Sequence, residues 1–218
     1  DNLLTASIDS VSLLSNYVFL DTEERNKFSI TEHEYLIEQV QYLSSDTGTN
    51  NYELNFNHPC KSLYWFYRSN YNTENNDWDN YTSTDTIYDS TSNIISRYQD
   101  VDDSLADDNS YIEQGNLPIT SSKLLLNGHP RFEQLDSFYF NYVQPYQHHT
   151  HTPSDGINVY SFALHPEEHQ PSGTCNFSRI DNKKLVLDID SDGEVHIFTI
   201  NYNIFRVAQG KGGLSYTV

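Results

Sequence analysis

Leu185-Val186-Leu187-Asp188-Ile189-Asp190-Ser191-Asp192-Gly193 and, a few residues on, Phe198-Thr199-Ile200-Asn201-Tyr202-Asn203-Ile204 form the stretch whose reading decides the fold. Leu185, Leu187 and Ile189 alternate with Val186, Asp188 and Asp190, and Phe198, Ile200, Tyr202 and Ile204 alternate with Thr199, Asn201 and Asn203. A period of two belongs to a strand, because successive Cβ atoms point to opposite faces of a sheet. Asp192-Gly193 between the two runs supplies a hairpin turn.

Working outward, similar strand signals recur along the chain. Tyr52, Leu54 and Phe56 alternate with Glu53, Asn55 and Asn57, a strand with one buried face. Ile8 to Leu20, His33 to Ser44, Ser62 to Arg68, Lys123 to Leu126 and Ile157 to Leu164 complete eight candidate strands. Asp21-Thr22-Glu23-Glu24-Arg25 reads as a capped helical turn, with an N-cap Asp and acids in the first turn. Phe132 to Tyr142 reads as a short helix, Asn127-Gly128-His129-Pro130 as a turn, and Gly210-Lys211-Gly212-Gly213 as a flexible tail. Eight strands, long loops and little helix indicate a β-sandwich or jelly roll.

Composition agrees and sets limits on function. The 218 residues include 17 Tyr, 11 Phe and 2 Trp, types that fit pleated, half-buried surfaces. Hydrophobic residues make up only 36%, and mean hydropathy is -0.67. Twelve basic against 31 acidic residues give a net charge of -19, which argues against a phosphate-binding surface and against anionic membranes. Residues 70 to 118 hold eleven acids and one base, Arg97, so about half of the net charge sits in one excursion poor in aliphatics. Cys60 and Cys175 are too few for a disulfide-dense module and read as free thiols. No run of 18 apolar residues is present. Met is absent and the first residue is Asp1, which suggests a portion of a longer polypeptide.

Several clusters carry chemical potential. His148-His149-Thr150-His151 places three imidazoles in four residues, and His149-x-His151 followed by Asp155 resembles the first metal motif of cupins, although Asp replaces Glu and the second motif is missing. Asp188-x-Asp190-x-Asp192-Gly193 matches the opening half of a calcium loop, but its twelfth position is Thr199 and its flanks have strand periodicity, so a charged hairpin is the reading. Glu167-Glu168-His169 lies between Pro166 and Pro171 in what reads as a solvated turn. There is no nucleophile elbow, P-loop or dinucleotide fingerprint. Two glycosylation sequons occur, Asn80-Tyr81-Thr82 and Asn176-Phe177-Ser178. The first lies in the acidic excursion and is expected to be accessible, which makes Asn80 the candidate glycosylation site.

The most specific stretch is His165-Pro166-Glu167-Glu168-His169-Gln170-Pro171-Ser172-Gly173-Thr174-Cys175-Asn176-Phe177-Ser178-Arg179-Ile180-Asp181-Asn182, which resembles the signature of the major capsid proteins of nucleocytoplasmic large DNA viruses. Asp21 to Arg25 with His33 to Gln39 is similar to the opening of that family's second jelly roll. Leu126 to His129, Val143 to His149, Tyr160 to Leu164, Tyr202 to Ile204 and Gly212 to Tyr216 follow in the expected order.

The resemblance implies an all-β fold: an eight-stranded jelly-roll sandwich with short helices in its loops, the second half of a double jelly roll. Residues 1–218 would be that C-terminal domain, with an acidic insertion at about 70–118 and the N-terminal jelly roll outside this chain. The implied role is structural and not enzymatic, with no catalytic, cofactor or metal residues. Subunits would form homotrimers, the pseudo-hexagonal capsomers that tile an icosahedral virion shell. They would meet neighbouring capsomers and minor capsid proteins beneath the shell, without direct nucleic-acid contact or a transmembrane segment, and would assemble in the host cytoplasm. The alternatives are a cupin-like metal-dependent enzyme using His149 and His151, and a glycan-binding β-sandwich dependent on Trp65 or Trp78.

Overall fold

The structure, a computed structural model, describes residues 10–46, 50–74, 76–83, 87–88, 94–96, 117–189 and 193–216. Helix α1 (Thr22–Ile30) starts as its sequence dictates: Asp21 caps it, with Oδ1 accepting from the Glu24 N–H at 2.8 Å. Strand β1 (His33–Asp46) follows, then β2 (Asn51–Glu53), β3 (Pro59–Ser69) and the short helix α2 (Asn70–Glu74). Within the acidic excursion, β4 (Ile87–Tyr88) pairs with β5 (Ile94–Ser96). Then come β6 (Ile119–Leu126), β7 (His129–Asp136), a π-helical segment (Tyr139–Val143) running into α3 (Gln144–His148), β8 (Asn158–Ser161) and β9 (Cys175–Asn176). A 3-10 turn (Phe177–Arg179) precedes β10 (Lys183–Ile189), β11 (Gly193–Ala208) and β12 (Lys211–Leu214).

These strands make two antiparallel sheets. One has the order β1-β11-β3-β8, with β12 added on β11 and β9 on β3; the other has the order β2-β10-β6-β7. Consecutive strands thus pass back and forth between sheets, which is jelly-roll topology. Between the sheets, Leu63, Trp65, Tyr67, Val195 and Ile197 from one meet Tyr52, Leu124, Leu185 and Leu187 from the other, all at most 2% exposed. The Trp65 indole N–H donates across the gap to Ser122 Oγ at 3.2 Å. Phe140 of the π-helical segment plugs the core against Trp65 and Phe132, with ring centroids 5.1 and 4.9 Å away.

The registers define two unlike ends. Asp46 lies opposite Glu194, Gly193 opposite Ser69, and Ile189 opposite Ile119, so the β1–β2, β3–β6, β7–β8 and β10–β11 connections gather at one end. The excursion at 70–118 therefore leaves and returns at this loop end. At the opposite, closed end, Asn127 and Gly128 take positive φ values of 50° and 80°, as a two-residue hairpin turn between β6 and β7 demands. Asn127 also exchanges hydrogen bonds with Asn182, its N–H donating to the Asn182 carbonyl at 2.7 Å.

Several sequence expectations need correction. Residues 10–20 form no strand: Val11, Leu13, Leu14, Val18 and Phe19 stand 85–94% exposed, and Ile8 lies outside the described residues. The run is apolar but has no sheet partner among the described residues. The strand that completes the sandwich is β7, which begins before the expected helix at 132–142. As an edge strand it buries little, so His129 to Asp136 lacks alternation. The glycine-rich tail is not loose but forms β12, folded back on β11 by Gln209 and Gly210 at positive φ. The Asp190 to Asp192 turn lies outside the described residues.

The largest surprise is β11. Thr199, Asn201 and Asn203, the polar set of its alternation, are fully buried on the inner side. Gln41 Nε2 donates to Asn201 Oδ1 at 2.9 Å, and Asn203 Nδ2 donates to Gln39 Oε1 at 2.8 Å and to the Tyr216 carbonyl. This amide ladder fills the interior where β3 gives way to β12 on β11. The apolar set faces the other way.

Candidate functional site

That reversal leaves an apolar set on the outer face of the six-stranded sheet. Phe198, Ile200, Tyr202 and Ile204 of β11 share the outer face of the six-stranded sheet with Leu36, Val40 and Tyr42 of β1 and Tyr64 and Phe66 of β3. Leu36, Val40 and Tyr42 are 38%, 64% and 51% exposed. Toward the loop end the face is an aromatic stack. Tyr42 lies 4.6 Å from Phe198 and Phe66 lies 4.8 Å from Tyr81, ring centroid to centroid, with His196 5.0 Å from Phe66. The Tyr42 hydroxyl and His196 Nδ1 are 2.6 Å apart. Burial pushes the His196 imidazole below its ordinary value, Glu194 opposing this and Arg68 adding to it.

Beside the stack, the segment after α3 and the connection from β8 to β9 fold over the sheet. His149 lies 7% exposed with Nδ1 3.1 Å from Glu167 Oε1. Glu167 also accepts from the Thr150 N–H; hydrogen bonding from Thr150, then from His149, holds its carboxyl below the usual range. Burial lowers the His149 imidazole despite Glu167, and His148 and Lys61 act in the same direction as burial. Lys61, 4% exposed, donates to Glu38 Oε1 at 2.5 Å and to the Pro166 carbonyl at 2.6 Å. Lys61 sits where the β3–β11 register shifts, and sequence reading missed it; a lysine inside an otherwise apolar strand was the available signal.

The three histidines do not converge. His148 Nδ1 contacts the Leu164 carbonyl, His149 Nδ1 contacts Glu167, and His151 Nδ1 contacts Thr150 Oγ1. No group of three His, Cys, Asp or Glu among the described residues could hold a metal ion. Asp155 accepts instead from the Tyr142 hydroxyl at 2.7 Å, and Asp188 and Thr199 lie in strands. Glu168 and His169 are exposed in the turn anticipated for them.

Trp65 is core and cannot meet a glycan, whereas Trp78 is 52% exposed with the Arg68 guanidinium 5.6 Å from its ring. Asn80 is not accessible as expected. It is 4% exposed, its amide donates to Asp77 Oδ2, and its Oδ1 accepts from the Thr82 N–H and hydroxyl. Asn176 is exposed, with its Oδ1 capping the Ser178 N–H at 3.1 Å.

The stretch from His165 to Asn182 sews the closed end. Ser172 Oγ accepts from the His165 N–H and donates to its carbonyl, Phe177 N–H donates to the His58 carbonyl, and Ser178 Oγ accepts from the His58 N–H. Lys183 Nζ donates to the Phe177 and Ile180 carbonyls.

A jelly roll of two four-strand paths, with hydrogen bonds closing one end and long connections at the other, is the architecture shared by viral coat proteins, lectin domains and cupins, and the comparisons with known proteins choose among them. A PBCV-1 virus capsid structure superposes with a TM-score of 0.70 at 36% identity, covering 93% of this chain and 56% of that one. The Faustovirus major capsid protein shares the fold, with a TM-score of 0.57 at 19% identity over 85% of this chain and 36% of that one. The chain belongs to the large eukaryotic DNA virus major capsid proteins, the family matched by residues 24–213. It is 41% identical to the major capsid protein of Pyramimonas orientalis virus, over 97% of this chain and 50% of that protein. To the major capsid protein of Paramecium bursaria Chlorella virus 1 it is 38% identical, over 97% of this chain and 55% of that protein. The chain spans about half the length of the curated relatives it matches. The relatives it matches carry the name major capsid protein. Among the described residues no helix is long and apolar enough to cross a membrane.

Proposed function

We propose that this chain is the second jelly roll of a double jelly-roll subunit, and that three such subunits close into a pseudo-hexagonal capsomer that tiles an icosahedral shell. The observation that carries this is the outward-facing apolar set on β1, β11 and β3, set against the buried Thr199, Asn201 and Asn203. Contiguous apolar surface of this kind marks a contact site, and closed symmetry satisfies it without open-ended growth. The exposed apolar arm at 10–20 adds a second surface in want of cover, suited to the preceding jelly roll. The acidic excursion at 70–118, whose residues 97–116 lie outside the described residues, starts and ends at the loop end, and its like charges would keep capsomers soluble. Neighbouring capsomers and minor capsid proteins contact other faces, assembly takes place in the host cytoplasm, and nucleic acid is not touched directly.

The test is sedimentation analysis of the full-length subunit and of its Val40→Glu and Ile200→Asp variants. Wild type is expected as a trimer, and Val40→Glu, at a 64% exposed position, as a folded monomer. A trimer that forms unchanged with both charges in place overturns the assignment of this face.

A further inference from the structure

Cys60 and Cys175 lie directly opposite each other in the antiparallel pairing of β3 with β9. Opposed residues in such a pair project from the same face, and here that face is the core: Cys60 is fully buried within it and Cys175 packs against it, half-buried. Both thiols are free. Antiparallel partners have Cα atoms about 4.5 or 5.5 Å apart, inside the range of about 4.4–6.8 Å that a disulfide spans. We propose that this pair is a disulfide-forming site, with Cys175 the entry thiol and Cys60 the resolving thiol, closing when the protein meets an external disulfide oxidant such as oxidised glutathione.

The order follows from exposure and charge. Cys60 Sγ is sealed from solvent and donates to the Ser62 carbonyl at 3.3 Å. Cys175 reaches solvent, and the cations Arg131 and Lys183 favour its thiolate, partly offsetting burial. The Cys175 thiolate attacks one sulfur of the oxidant, forming a mixed disulfide and expelling one glutathione thiolate. Cys60 then attacks the Cys175 sulfur, its proton passing to the departing glutathione sulfur, forming the Cys60–Cys175 bond and releasing the second glutathione as a thiol. Two protein thiols lose two electrons, and one external disulfide becomes two thiols. The product would tie the signature segment covalently to the start of β3 and close a loop of more than a hundred residues. A shell leaving a reducing compartment would then tighten at its closed end without changing shape.

The experiment is peptide mapping of the purified full-length protein after incubation with oxidised glutathione under native conditions, with thermal melting alongside. A linked pair of peptides carrying Cys60 and Cys175 is expected, with a rise in Tm of roughly 5–15 °C that dithiothreitol reverses. The Cys60→Ala variant should stop at glutathione on Cys175, and Cys175→Ala should leave Cys60 unmodified. Wild-type protein that keeps both thiols, or carries glutathione on Cys175 with no link to Cys60, overturns the site. Cys60 reacting in Cys175→Ala as fast as in wild type overturns the order of attack.

Discussion

Replacing Phe140 by alanine should remove the plug that joins the β7–β8 connection to the core. The ring is fully buried, with Trp65, Phe132 and Tyr139 centroids 5.1, 4.9 and 5.2 Å away. An aromatic side chain of this kind removes roughly 150–250 Å² from water. At about 25 cal/mol per Å² that is worth ~4–6 kcal/mol, of which the retained Cβ keeps a minor part. Lost edge contacts and the remaining cavity add to the loss, while partial collapse reduces it. We expect about 4 kcal/mol for Phe140→Ala, within the ~3–5 kcal/mol found for such truncations, and under about 1.5 kcal/mol for Phe140→Leu. Urea unfolding followed by tryptophan fluorescence is the assay, because Trp65 reports directly on the vacated space. In a domain of this size the alanine variant should melt roughly 8–16 °C lower. A loss below about 1 kcal/mol would refute the reasoning, since the connection would then be draped over the core and not part of it.

Three further expectations follow from the geometry. Gly156 has φ +91° and an added Cβ would lie 2.0 Å from the Tyr81 carbonyl oxygen, so Gly156→Ala should cost about 2–3 kcal/mol and speed hydrogen exchange around residues 76–83. Lys61 is buried and Glu38 is 40% exposed, so Glu38→Leu, which leaves the buried cation only the Pro166 carbonyl, should cost about 2 kcal/mol, whereas Lys61→Met, which removes the buried charge, should cost under about 1 kcal/mol; equal losses in denaturant melts would contradict this. His149 and His196 have imidazoles held below the ordinary 6.5 by burial, so the unfolded chain binds more protons than the folded one as pH falls below 6.5. Their contribution is therefore complete above that pH and lost as pH drops toward the lowered values, and unfolding free energies of a His149→Gln, His196→Gln double variant should fall less steeply between about pH 6.5 and 5.

Sequence patterning reached the sandwich but misplaced two of its parts. The patterning signals eight strands, and the two main sheets hold ten, eight of them in the paths β1-β11-β3-β8 and β2-β10-β6-β7; Ile8 to Leu20 is not among them, and β7, β9 and β12 carry no strand signal of their own. Both errors have one cause: apolar content marks burial in the assembled molecule, whereas pairing is set by backbone partners that composition does not reveal. An apolar arm without a partner stays irregular, and an edge strand with a wet face shows no alternation. The same confusion hides the outer apolar face. Phe198, Ile200, Tyr202 and Ile204 look like a core stripe, but only the three-dimensional register shows that they point away from the sandwich. Conversely, the His165 to Asn182 signature was legible as a family mark without its reason. In the structure that stretch carries hydrogen bonds linking Ser172 with His165, Ser178 with His58, and Asn182 with Asn127. The histidine run illustrates the opposite limit, since adjacency along the chain did not bring its rings together.

The unlike ends of the sandwich differ in their tolerance of inserted chain. Where Asn127 interlocks with Asn182, one inserted residue would break a two-residue turn and a reciprocal pair of hydrogen bonds. At the opposite rim, β3 and β6 are already fixed by their sheets, and doubling the chain between them adds only about 0.6 kcal/mol of closure entropy. The connection between β3 and β6 can therefore be lengthened or rewritten at almost constant folding cost, while the closed end tolerates no such change. For the same reason, that rim is the natural place to graft a foreign peptide for display.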